Sequence, residues 1–158
     1  MAHVTQATTD KDLREILHLQ QLHLPDALTS EEIQDGFVTV SHSLSLLRKM
    51  NEACPHTIAK DDDRVVGYAL SMHPKFKDEI DILKPMFVEI DSTIRTLPTK
   101  TKKAPCYMVM GQICITKSYR RQGLFRSLYD SMAAHLPAVF EYIITEVDLA
   151  NTHSLEAH

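Results

Sequence analysis

Several patterns are scarce in this 158-residue sequence, and each scarcity excludes a class of protein. Glycine occurs only four times, and neither GxGxxG nor GxxxxGK[ST] is present, which argues against the common dinucleotide and P-loop folds. The three cysteines form no CxxC pair, and the nine histidines form no HExxH motif or tight His/Cys cluster. We therefore predict reduced thiols and no metal site. No apolar run approaches the ~20 residues that span a bilayer, so we expect no membrane segment.

An excess of positive charge is also missing. The chain has 17 basic and 21 acidic residues, a net charge of −4, which gives no support to a nucleic-acid surface. A small basic pocket for an anionic cofactor remains compatible with this balance. The sequence begins without a charged segment followed by an apolar one, and we expect a soluble, cytoplasmic protein. Length and composition fit one compact domain over residues 1–158.

Hydrophobic periodicity predicts a mixture of strands and helices. Expected strands cover residues 3–7, 57–60, 64–72, 106–115 and 139–147. Expected helices begin at the Thr9/Asp12 capping signal, at Ser41 or Ser43, near Phe87, at Leu124 and at Asn151 or Thr152. The Gly111–Gln112 pair interrupts the most apolar strand and marks a bulge or a close backbone approach. Early hairpins and a late strand–helix–strand unit indicate an α+β or α/β domain with at least one parallel strand pair.

The strongest functional signal is the connection from the strand at 106–115 to the helix at Leu124. A helix start presents unpaired backbone N–H groups and the positive end of the helix dipole, which suit a pyrophosphate. Gly123 would let the backbone approach such an anion without a Cβ in the way. Arg120, Arg121 and Arg126 add positive charge. The alternative is an ordinary strand-to-helix connection with solvated arginines.

This connection resembles the motif of the GNAT acyltransferase superfamily, Gln/Arg-x-x-Gly-x-Gly/Ala after a buried strand. Arg120 and Gly123 match, whereas Phe125 stands at a position that is normally small. A second segment resembles the family's next strand and helix, in which an Asn is followed by a small residue three later and a Tyr or His seven later. Asn151, Ser154 and His158 fit those positions.

The resemblance implies a central mixed, mostly antiparallel sheet flanked by helices. A strand pair would splay near Gln112 and form a slot for acetyl-CoA. Backbone groups of the strand would pair with the pantetheine arm, and amides of the turn would hold the pyrophosphate. The cofactor-binding residues implied are Ile113, Cys114, Ile115, Arg120, Arg121, Gln122, Gly123, Leu124, Phe125, Arg126, Asn151 and Ser154.

The activity implied is direct transfer of an acetyl group from acetyl-CoA to a primary amine of a small molecule or peptide. Glu146, an acidic residue in the largely apolar strand 139–147, is the predicted base; an outward-facing surface Glu is its alternative. His158 falls at the position of the proton donor to the thiolate, although a frayed terminal His is the plainer reading. A backbone N–H near Ile113 or Cys114 would polarise the thioester. We expect Cys114 itself to be a structural thiol.

Two other functions stay open. One is a catalytically silent CoA-binding module of the same fold, and the other is an unrelated nucleotide-binding domain. The family continues for two more strands after the segment ending at His158, so the resemblance implies a missing C-terminal part or a partner chain over the sheet edge. A homodimer would be one way to cover such edges.

Overall fold

The computed structural model describes all 158 residues. A five-stranded sheet runs in chain order through β1 (His3–Gln6), β2 (Thr57–Asp61), β3 (Arg64–Met72), β4 (Tyr107–Ile115) and β5 (Tyr142–Ile144). The first four strands are antiparallel, and β5 runs parallel to β4. This is the predicted α+β architecture with a mixed, mostly antiparallel sheet, which is therefore confirmed.

Six α-helices flank the sheet: α1 (Asp10–Leu22), α2 (Ser30–Gln34), α3 (Leu44–Ala53), α4 (Lys84–Ile94), α5 (Leu124–His135) and α6 (Thr152–Ala157). Alternate residues of β3 face two cores, because successive strand side chains point to opposite sides. Tyr68 and Leu70 join the core under α1, α3 and α4, whereas Ala69 joins the core under α5. Val66 also joins the core under α5, because the register shift between Ala59 and Lys60 leaves it as an extra residue in β3. No helix of this protein has the length and apolar character needed to cross a membrane.

The start of α1 shows how its sequence fixes its position. Thr9 and Asp12 form the predicted capping box: the Thr9 hydroxyl accepts from the Asp12 amide at 3.1 Å, and the Asp12 carboxylate accepts from the Thr9 amide at 3.1 Å. Lys60 of β2 donates to the same carboxylate at 2.9 Å. Burial alone would raise the pKa of Asp12, but hydrogen bonds from Thr8, Lys60 and Thr9 outweigh it and lower the pKa. The helix is thereby tied to the sheet.

Two elements differ from the sequence-based expectation. Strand β5 covers only Tyr142–Ile144 rather than 139–147, because a turn in which the Phe140 amide donates to the Pro137 carbonyl at 3.1 Å precedes it. The short helix α2 was not predicted. It begins with its own capping box, Thr29 and Glu32, but five residues with one apolar side chain give no periodic signal.

Candidate cofactor and active site

The sheet opens along the second half of β4. Strand β3 pairs with β4 as far as Ile115, whereas β5 pairs with it only from Tyr107 to Val109. The register shift between Leu70 and Ser71 leaves Gly111 as an extra residue in β4, which confirms the predicted bulge. The edge of β4 that follows Val109 therefore has no strand beside it. This is the splay that the resemblance implied near Gln112.

The open edge presents specific backbone groups. The Thr116 amide donates to the Val66 carbonyl at 2.8 Å, and hydrogen-bonded pairs alternate in an antiparallel ladder. The N–H and C=O groups of Ile113 and Ile115 therefore point away from β3, into the opening. Those of Cys114 face β3 and Tyr68. The expectation that the Cys114 backbone would pair with a pantetheine arm stays a prediction that this direction does not favour. The open edge therefore presents the backbone groups of two residues, Ile113 and Ile115, rather than of three.

The turn before α5 has the geometry of an anion site. Arg121 and Gly123 adopt positive φ angles of 60° and 80°, and a Cβ on Gly123 would meet nothing within 4 Å. No side chain caps α5, and its first backbone bond runs from Ser127 to Gly123 at 3.1 Å. The three amides that follow Gly123 therefore have no partner within the helix. The space beside Gly123 is open, and a phosphate would fit there.

One cavity of about 560 Å³ joins this turn to the open edge of β4. It is lined by all of the predicted cofactor residues except Gln122 and Arg126. The Gln122 side chain instead donates to the Ser118 carbonyl at 3.1 Å, and the exposed Arg126 side chain lies 3.8 Å from Asp130. Only their backbone amides belong to the turn. The cavity is thus a continuous path from an anion site to an unpaired strand edge.

Several lining residues were missed from the sequence. Lys117 lies at the mouth, 3.9 Å from Asp35, and supplies a cation beside Arg121. The segment 35–38, His23 and His153 also line the cavity. Lys117 could have been found as a further cation between the strand and the turn. The segment 35–38 gives no such signal, since it reaches the site only through the tertiary fold.

The two predicted catalytic residues lie outside the cavity lining. Glu146 is exposed and lies two residues beyond the end of β5, so it is not within a buried strand as expected. The reason is the shortness of β5, which ends at Ile144. Its role as a base stays a prediction that this location does not favour.

His158 lies at the end of α6 in a defined environment. Its Nδ1 is 2.7 Å from the Ser154 carbonyl and its Nε2 is 2.7 Å from the Tyr129 hydroxyl. Since a carbonyl can only accept, Nδ1 carries the proton in the neutral ring, and Nε2 then accepts from Tyr129. Burial raises the pKa of Tyr129 to about 12. The ring of Phe125 packs edge-on against His158 with a centroid distance of 4.9 Å, which links α5 to α6.

A buried polar network fixes β4 at the bulge. The Gln112 carbonyl oxygen accepts from Gln20 at 2.7 Å and from the Tyr68 hydroxyl at 2.8 Å, and its amide donates to the Val40 carbonyl at 2.9 Å. His42 accepts from the same Gln20 amide at 2.9 Å. Burial lowers the pKa of His42 to about 4, so its ring is neutral near pH 7. The network holds α1 and the 38–42 segment onto the strand where β5 leaves it.

The Cys114 thiol lines the cavity but is not poised to react. Burial raises its pKa to about 12, so the thiolate fraction near pH 7 is negligible. The expectation of a structural thiol agrees with this environment.

Residues 16–158 match the family model described as the Acetyltransferase (GNAT) family. No protein of the curated set matches the sequence. Among solved structures, the aminoglycoside N-acetyltransferase AAC(6')-Iy, in complex with a CoA-linked bisubstrate analogue, is 14% identical with a TM-score of 0.60, covering 100% of this chain and 87% of its own.

Two further solved structures share the fold. The BH1408 protein from Bacillus halodurans is 15% identical with a TM-score of 0.62, covering 98% of this chain and 87% of its own. Arabidopsis thaliana Naa50, in complex with the bisubstrate analogue CoA-Ac-MVNAL, is 12% identical with a TM-score of 0.60, covering 98% and 78%. At these identities the similarity concerns the fold. The family match extends over most of the chain, and together with the splayed β4 and the glycine turn it shows that this protein belongs to the GNAT acetyltransferase family.

Proposed function

We propose that this protein transfers an acetyl group from acetyl-CoA to a primary amine of a small molecule or peptide. One observation carries the proposal: a single cavity joins the uncapped start of α5 to the unpaired edge of β4. A pyrophosphate requires an anion site, and the amide-containing arm attached to it requires an open strand edge in the same cavity.

Each part of the cavity has a task in this proposal. The amides of Leu124, Phe125 and Arg126 bind the pyrophosphate, with Lys117 and Arg121 adding charge. The N–H and C=O groups of Ile113 pair with the amides of the pantetheine arm in the manner of an added strand. The thioester end then lies toward the point where β5 leaves β4.

Acetyl transfer needs polarisation of the thioester carbonyl, a base for the amine proton and a proton donor for the thiolate. A thioester supplies an activated acyl group: the amine nitrogen forms a bond to its carbonyl carbon, the C–S bond breaks, and an amide and a free thiol result. We assign the polarisation of the carbonyl oxygen, as it gains charge, to a backbone N–H of the open β4 edge nearer the point where β5 leaves it. The amine proton must leave to a base, and the thiolate must gain a proton, for which the Tyr129–His158 pair is the candidate donor.

The acceptor class rests on the solved relatives. The analogue bound to AAC(6')-Iy contains acetylneamine, and the analogue bound to Naa50 contains the peptide MVNAL. Both carry amines, which supports an amine acceptor here without choosing between small molecule and peptide. All three cysteines are free, which fits a reducing compartment, and we propose the cytoplasm.

The test combines turnover with binding. The protein is incubated with acetyl-CoA and a panel of primary amines that includes aminoglycosides and short peptides, while thiol release is followed. Calorimetric titration with CoA runs in parallel. We expect binding and turnover on at least one amine. Failure to bind CoA would refute the proposal.

A second function has one observation in its favour. Because Glu146 is exposed and outside the cavity lining, the structure offers no carboxylate base at the position predicted for it. A catalytically silent CoA-binding module of the same fold would need no base. CoA binding without turnover on any amine of the panel would favour that module over the enzyme.

A further inference from the structure

The segment 35–37 is held in place by two side chains that the family resemblance assigned to the cofactor. Arg120 donates from Nη1 to the Asp35 carbonyl at 2.9 Å, and Asn151 donates from Nδ2 to the Phe37 carbonyl at 2.9 Å. Between these two carbonyls, Gly36 has a φ of 102°. The segment is thus fixed at both ends, by one side chain from the turn before α5 and one from the start of α6.

Arg120 also reaches the strand. Its Nε donates to the Ile115 carbonyl at 2.9 Å, so the guanidinium connects the end of β4 to the segment 35–37. The Ile115 carbonyl is one of the groups that point into the opening, and Arg120 occupies it. The free edge of β4 is therefore bounded at this end by the arginine.

Gly36 provides an independent indication that the segment is fitted to α6. A Cβ on Gly36 would lie 3.4 Å from Cδ2 of the His153 ring and 3.8 Å from Oδ1 of Asn151. The positive φ angle would add strain for any residue with a side chain. A Cβ would make ordinary van der Waals contacts at these distances, so the preference for glycine comes from the backbone conformation.

We propose that Arg120 is a positioning residue, which together with Asn151 holds the segment 35–37 as a wall of the cofactor cavity. This deepens the proposed function and rests on it. The segment retains the pantetheine arm against β4, and Arg120 acts on the cofactor through that segment rather than through its charge. The charge at the phosphate site comes from Lys117 and Arg121, which line the cavity and donate no hydrogen bond to the backbone carbonyls of the segment.

A first experiment tests the contact without any ligand. In Arg120→Lys the charge is kept, but an ammonium cannot reproduce the two directed bonds of a guanidinium. We expect faster amide hydrogen exchange in residues 35–38 and at the end of β4. Arg95→Lys, an exposed arginine at the end of α4, is the matched control and should leave this exchange unchanged. Unchanged exchange in Arg120→Lys would overturn the proposal.

A second experiment separates positioning from charge. We expect Arg120→Lys to weaken CoA binding about tenfold while the dependence of affinity on salt concentration stays as in the wild type. Arg121→Gln should instead reduce that salt dependence, because it removes a charge near the phosphates. Wild-type affinity in Arg120→Lys, or a salt dependence altered as in Arg121→Gln, would contradict the positioning role.

A further variant, Gly36→Ala, changes the segment 35–37 itself, at the residue between the two carbonyls that Arg120 and Asn151 hold. It should weaken CoA binding with an unchanged salt dependence, and its effect should combine with that of Arg120→Lys less than additively. Full additivity would mean that the two residues act separately, against the proposal. If the wild-type protein binds no CoA, the proposed function fails, whereas the exchange experiment still decides whether Arg120 holds the segment.

Discussion

Helices α1 and α5 begin in opposite ways. At α1, the Thr9 hydroxyl accepts from the Asp12 amide, the Asp12 carboxylate accepts from the Thr9 amide, and Lys60 pairs with that buried carboxylate. At α5, Gly123 offers no side chain, the next amides have no partner within the helix, and the space beside the glycine is open. Leaving polar groups without partners costs free energy, so an open helix start beside a cavity is a site for a ligand. The capped start stabilises the fold, and the uncapped one is the proposed phosphate site.

The largest effect is expected at the uncapped start. Gly123→Asp should weaken CoA binding by about 100-fold or more, because a Cβ and a negatively charged carboxylate would enter the anion site. Calorimetric titration measures the loss. Gly123→Asn is the matched control: Asn tolerates this backbone conformation and adds no charge, so about tenfold is expected. Unchanged affinity in the Asp variant would place the phosphate site elsewhere.

The capped start should respond in stability and not in binding. Asp12→Asn should reduce the free energy of unfolding by about 2 kcal/mol, because it breaks the ion pair with Lys60. Asp12 is only 2% exposed, so this pair is shielded from water. Urea denaturation measures this, and CoA affinity should stay within about twofold of the wild type.

The pH dependence of the stability difference between wild type and Asp12→Asn tests whether the ionised carboxylate causes it. The pKa of Asp12 in the folded protein lies below its ordinary value, so its contribution is fully present above that ordinary value. It is lost as the pH falls through the lower, folded pKa. The stability difference between wild type and Asp12→Asn should therefore be constant near neutrality and shrink below about pH 4. A constant difference down to pH 2 would indicate that the ionised carboxylate is not the cause.

A smaller effect is expected when only the cap hydroxyl is removed. Thr9→Ala should cost about 1 kcal/mol of stability, because the Asp12 amide loses its acceptor. Thr29→Ala makes the same change at α2, which is short and exposed, and should cost less than about 0.5 kcal/mol. Equal losses in the two thermal unfolding experiments would show that the connection of α1 to the sheet adds nothing.

The smallest effect concerns a side chain beside the open amides. Arg126→Gln keeps the backbone amide and removes an exposed charge that lies 3.8 Å from Asp130. Because exposed charges are screened, CoA affinity should change by less than about twofold. A tenfold loss would mean that the Arg126 side chain turns toward the phosphates.

Features that depend on neighbouring residues were predictable from the sequence, whereas features formed by residues far apart in the chain were not. The Thr9/Asp12 cap, the Gly111 bulge and the Gly123 turn each depend on a few neighbouring residues, and the structure contains all three. The length of β5 depends on where β4 stops pairing, and the exposure of Glu146 follows from that. The segment 35–37 joins the site through bonds to residues 85 and 114 positions away, which no local pattern encodes.

Cys106 is a residue at which the protein can be labelled selectively. It is exposed at the start of β4, at the end of the strand opposite to the cavity, while Cys54 and Cys114 are buried with raised pKa values. A thiol-reactive dye should therefore label one position per chain. The same thiol would consume one equivalent of a colorimetric reagent before any CoA is released, and Cys106→Ser removes that background. A maleimide fluorophore at Cys106 would in turn report binding without touching the cofactor path.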